Sequence, residues 1–186
     1  MKRSHLVKIA IIFLFSLGSL GVVGGSFLLR KAFSSTSESE VITDISRYRE
    51  IRNQLWSNNE QLKHFPSDIS TDNKSASIAY SPGYFQVRVK QTPEKIQKLL
   101  KQYKNIAKHK YRGGDTNDHI NQPHGVPTTF FYTSDSDEES FPSTYEILVL
   151  NAQDRGRSGF KWNHGNSYGV AIDSSASEIV YWAEQW

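Results

Sequence analysis

From Ile9 to Leu29 the chain runs IAIIFLFSLGSLGVVGGSFLL, without a charge and with Ser16, Ser19 and Ser26 as its only hydroxyl-bearing side chains. At about 1.5 Å of rise per residue, a helix of that length spans roughly 31 Å, matching a hydrocarbon core of about 30 Å. A core helix of a globular domain would carry a polar face, and this run has none. Lys2, Arg3 and Lys8 precede it and Arg30 and Lys31 close it. The pattern predicts a transmembrane or signal-anchor segment over residues 1–31. A cleaved signal peptide is the competing reading, with Val23 and Gly25 before a cut at Ser26. The apolar run is longer than the 7–15 residues usual for such a peptide, and no Ala-x-Ala precedes the cut. Retention is therefore the favoured expectation. Gly21 and Gly25 sit at the spacing that lets two membrane helices approach, so a weak homodimer through them is a candidate, although glycine is common in membrane helices.

The pattern changes at Ala32. Residues 32–43 are rich in Ser, Thr and Glu and read as a flexible tether, leaving residues 44–186 as a single globular domain. Ile45, Tyr48, Ile51, Arg52 and Leu55 recur at helical spacing after Asp44. Ser75–Tyr80 and Tyr84–Lys90 flank Ser81-Pro82-Gly83, and Phe85, Val87 and Val89 alternate with Gln86, Arg88 and Lys90, which predicts a hairpin with one buried face. Thr92-Pro93-Glu94 is a helix start, with an N-cap hydroxyl, a first-turn proline and an acid at the positive dipole end. Ile96, Leu99, Leu100, Tyr103, Ile106 and Ala107 give that helix an apolar stripe, and Gly113-Gly114 is its expected end.

A polar connection, 115–127, leads to a β-like stretch at 128–133 and an acidic loop at 135–142. Strands are expected at 145–150, 160–163, 168–173 and 178–186, the last two joined by a hairpin loop at 174–177. Helices interleaved with antiparallel strands predict an α+β fold, a mainly antiparallel sheet with two helices on one face.

Charge and composition alter this picture in three ways. The chain carries 22 Lys and Arg against 19 Asp and Glu. Five of the basic residues flank the apolar run, which leaves 17 basic against 19 acidic elsewhere, so overall basicity gives no argument for a nucleic-acid partner. Residues 41–112 hold 14 basic and 6 acidic side chains, whereas 113–186 hold 3 and 11. The absence of cysteine removes disulfides, thiol nucleophiles and thiolate metal sites.

Candidate chemistry is thin. Asp118, His119 and His124 combine carboxylate and imidazole in one loop, yet the H-x4-H spacing is not that of a zinc site and a solvated loop is the plainer reading. Residues 135–139 are acidic but lack the glycine and terminal glutamate of a calcium loop. Trp162, His164 and Tyr168 are candidate ligand-binding residues, with Tyr181, Trp182 and Trp186 nearby in sequence. Alternate strand positions must face inward, so core packing competes with binding. His164 with Asp173 is a candidate base and orienting carboxylate, but no nucleophile motif accompanies them. Lys98, Lys101 and Lys104 form a basic helix face suited to lipid or a partner, against the ordinary alternative of a solvated face. No cofactor motif is present. The expectation is a membrane-held or exported, non-catalytic domain outside the cytoplasm that binds a partner protein or ligand. A small metal-assisted or His-based hydrolase is the alternative.

Overall fold

The computed structural model describes residues 40–56, 60–69, 76–114, 119–133 and 138–186, all within one compact unit, Ser39–Trp186. The apolar run Ile9–Leu29, with Gly21 and Gly25, lies outside the described residues, as does Asp118. No helix among the described residues is long and apolar enough to cross a membrane.

The main sheet has seven strands, all paired antiparallel: β1 (Glu40–Ile42), β2 (Ala76–Tyr80), β3 (Tyr84–Lys90), β4 (His109–Arg112), β7 (Glu146–Asp154), β8 (Gly165–Asp173) and β9 (Glu178–Gln185). Their order is β1-β2-β3-β9-β8-β7-β4. A two-stranded ladder joins β5 (Phe131–Tyr132) to β6 (Glu138–Glu139). The helices are α1 (Tyr48–Trp56) and α2 (Pro93–Ile106).

Strand alternation divides the core in two. Ile179, Tyr181 and Ala183 of β9 share a cluster with Ile51 of α1, Ile96, Leu100 and Tyr103 of α2, and Phe85 and Val87 of β3. Both helices therefore bury their stripes against the same side of the sheet. The intervening Val180 and Trp182 face the other way, into clusters with Phe131, Phe141, Tyr145 and Val126. That second face is covered by the chain between β4 and β7, which packs apolar side chains on it and is tied down by isolated hydrogen bonds. Buried Gln86 donates to the Phe130 carbonyl at 2.8 Å and accepts from the Tyr132 N–H at 3.3 Å. The Tyr111 hydroxyl accepts from the Val126 N–H at 3.0 Å.

Several segments differ from the sequence expectation. Glu40–Ile42, read as tether, pairs with β2 as an edge strand. The second helix stops at Ile106 rather than at Gly113, because Ala107 turns extended and the chain enters β4. Pairing with β7 outweighs helix propensity there, and exposed Lys110 and Arg112 protect the resulting edge. Only Phe131 and Tyr132 of the 128–133 stretch are strand. Residues 160–163, expected as a strand, form turns in the loop between β7 and β8. Arg157 and Phe160 close one turn at 2.9 Å, with Gly159 at φ 87°. That φ needs glycine, and it breaks any strand there.

Candidate functional site

The Glu60–Leu62 turn, the end of α2 and the middle of β7 and β8 enclose a groove of about 480 Å³. Glu60, Lys63, His64, Gln102, Tyr103, Ile106, Leu150 and Tyr168 line it. Each wall has a local cause. The 3-10 turn Glu60–Leu62 buries Gln61 and Leu62 and leaves Glu60 and Lys63 at the rim, where they form an exposed ion pair. Phe65 stacks on Phe85 with centroids 5.1 Å apart, and Tyr48 donates its hydroxyl to the Pro66 carbonyl at 2.5 Å. These contacts fix the segment that presents His64.

The floor is a β-bulge. Pairing between β7 and β8 shifts register between Val149 and Asn151, which makes Leu150 the extra residue. A bulge re-aims side chains and interrupts the ladder. Opposite it stands Gly169, whose carbonyl accepts from His64 Nε2 at 2.8 Å. The imidazole stacks on Tyr168 at 5.3 Å, and the Tyr103 hydroxyl donates to the His64 carbonyl at 3.1 Å. Burial lowers the His64 pKa to about 4, against the pull of the carbonyls of Gly169, Gln61 and Trp182. The ring is therefore neutral at pH 7, with Nε2 carrying the proton. Nδ1 is buried without a hydrogen-bond partner. An imidazole held so far below neutrality is a poor general base. Burial also raises the Tyr168 phenol, aided by Glu60 and opposed by Lys63. The groove thus combines apolar walls at Ile106 and Leu150, two phenols, one amide and a charged rim.

The residues singled out from sequence are dispersed. Tyr168 lines the groove, but Trp162 packs against the opposite core and meets Trp186 at 6.5 Å. His164 is exposed just before β8. Asp173 ends β8, about 30 Å along the strand at 3.3 Å per residue, so the expected base and carboxylate do not meet. Asp173 serves its hairpin instead. Burial pushes its carboxyl up, but hydrogen bonds from Ser175, Thr144 and Ala176 outweigh that and hold it below the ordinary value.

His119 is buried at 3% exposure and stacks on Tyr111 at 4.1 Å, whereas His124 is exposed. His119 belongs to the packing of the second face, where Gly125 is held so close that a Cβ would lie 1.7 Å from the His119 carbonyl oxygen. Among the described residues, no three His, Asp or Glu side chains gather as metal ligands. Lys98 and Lys101 are exposed, while Lys104 pairs with Glu146 of β7 at 2.5 Å and is partly withdrawn from the basic face.

Sequence reasoning missed His64, Leu150 and Gln102. Phe65-Pro66 marks the end of a region but gives no sign that the preceding histidine crosses to β8. No family model matches the chain, and neither the curated proteins nor the solved structures compared with it contain a match.

Proposed function

We propose that this chain is a membrane-held, non-catalytic domain, displayed outside the cytoplasm, that binds a partner segment or small ligand in the groove above the β7 bulge. The membrane part of this reading rests on the uncharged run Ile9–Leu29 and its basic flanks. The basic residues ahead of the apolar run, Lys2, Arg3 and Lys8, resemble the start of an export signal and favour an external body. The observation that carries the binding part is the groove itself, about 480 Å³, whose lining sets the charged Glu60 and Lys63 beside apolar Ile106 and Leu150. Glu60 and Lys63 at the rim suit a zwitterionic or peptide-like occupant, and Ile106, 55% exposed, suits its apolar part.

A photo-crosslinking residue at Ile106 of the full chain in its native membrane tests this reading. One discrete adduct is expected there, and none with the same residue at Ala176 in the remote β8–β9 turn. The same adducts from both positions, or none from either, would refute the groove as the binding site.

A further inference from the structure

The register places several features at one end of the sheet. Glu40 opposes Tyr80, Phe85 opposes Ala183, and Tyr168 opposes both Ala183 and Asn151. The chain therefore enters β1 at the end that carries the Ser81–Gly83 turn, the C-terminal Trp186 and the loop from Arg155 to His164. That loop is chemically unlike its surroundings. The acidic half of the chain, 113–186, has only three basic side chains, and all three are here: Arg155, Arg157 and Lys161. None of them makes an ion pair among the described residues. Asp154 and Glu184, which flank the loop, are occupied by the Gly156 N–H and the Thr129 hydroxyl.

The loop has a defined shape. Arg155 N–H donates to the His164 carbonyl at 2.7 Å, closing its base. Gly156 packs so tightly that a Cβ would lie 2.3 Å from the Phe160 carbonyl oxygen. Trp162 adopts φ 62°, unusual for a bulky residue, and its ring rests on Trp186. Phe160 is left 65% exposed between the cationic side chains, the largest apolar exposure among the described residues.

We infer that this end of the sheet docks on an anionic lipid surface, with Phe160 entering the headgroup region and Arg155, Arg157 and Lys161 meeting the lipid phosphates and carboxylates. This rests on the membrane reading above. Three observations favour lipid as the partner: exposed basic side chains flank an exposed aromatic along the loop, two indole rings lie at the same end of the sheet, and β1 begins at this end. Each basic side chain near such a surface raises binding roughly fivefold. The lysine face of α2 is a weaker candidate, since that helix follows Lys90 at the opposite end of the sheet and Lys104 is paired.

The chain has no cysteine, so a single Ser158→Cys carries one fluorophore in the loop, and Ala176→Cys carries it at the far end. The full chain is reconstituted in vesicles of phosphatidylcholine alone or with phosphatidylserine, with spin-labelled lipid as quencher. Quenching at position 158 should be at least threefold stronger in the anionic vesicles, and weak at 176 in both. Replacing Arg155, Arg157 and Lys161 with glutamate should abolish the difference while the circular dichroism stays unchanged. Weak quenching at 158 in a chain that remains in the bilayer overturns the docking and leaves the membrane reading standing. A chain that does not enter the bilayer overturns both. Shielding of 158 only in native membranes would assign the loop to an acidic protein and also overturn the lipid contact.

Discussion

Gly169→Ala should lower the unfolding free energy by at least about 3 kcal/mol, a large part of the 5–15 kcal/mol typical of a domain. A Cβ there would lie 2.2 Å from the Leu148 carbonyl oxygen and 3.0 Å from the Trp182 ring, both fixed in the middle of the sheet. The Leu148 carbonyl is main chain of β7, held between β4 and β8, and Trp182 is fully buried, so neither can yield cheaply. The strain would fall on the bulge at Leu150 and on the carbonyl that holds His64. Ser167→Ala is the control, on the same strand and the same face. Its hydroxyl is buried without a hydrogen-bond partner, so removing it should be neutral or slightly stabilising. Urea unfolding followed by tryptophan fluorescence measures both changes. Equal stability of the two variants would contradict the close packing of β7 against β8.

The second large effect is acid lability through His64. Its folded pKa of about 4 lies below the ordinary 6.5, so the unfolded chain takes up the proton first as pH falls. The stability associated with the neutral ring is fully present above pH 6.5 and is lost progressively down to about pH 4. The gap between the two values corresponds to about 3 kcal/mol. His64→Gln keeps an amide N–H to meet the Gly169 carbonyl but does not titrate. Its stability should exceed the wild type's, relative to pH 7, by a growing margin from pH 6.5 to 4. Asp173 adds a separate loss at lower pH, because its depressed carboxyl stabilises the fold above 3.8 and fails as pH drops through its folded value. Parallel unfolding curves for the wild type and His64→Gln across pH 6.5–4 would show that His64 is not held neutral.

Local structure is legible in the sequence where local chemistry decides. The alternation of Phe85, Val87 and Val89 gave β3 its buried face, and Thr92-Pro93-Glu94 gave α2 its start, with the Thr92 hydroxyl accepting from the Lys95 N–H. The start of α1 after Asp44 was equally legible, since that carboxylate caps the turn through Ser46. What failed was tertiary. His109–Arg112 became a strand because β7 offers an edge, which no window of the sequence contains. The cover over Trp182 depends on isolated bonds from Gln86 and Tyr111 to distant segments. The groove was illegible for the same reason. Its walls come from the 60s, the end of α2, Leu150 and Tyr168, and they converge only because β7 bulges opposite Gly169. His119 and His164 drew notice because histidine beside acid or aromatic residues suggests chemistry, yet one is packing and the other lies in an open loop. His64, beside a simple Phe-Pro terminator, is the histidine built into a cavity.

Intact mass and alkaline-carbonate fractionation of the protein from its native cells bear most directly on the membrane reading. A retained anchor predicts a mass that still includes residues 1–29 joined to the body, in a protein that stays with the membranes after carbonate extraction. The full-length chain in the soluble fraction would contradict it.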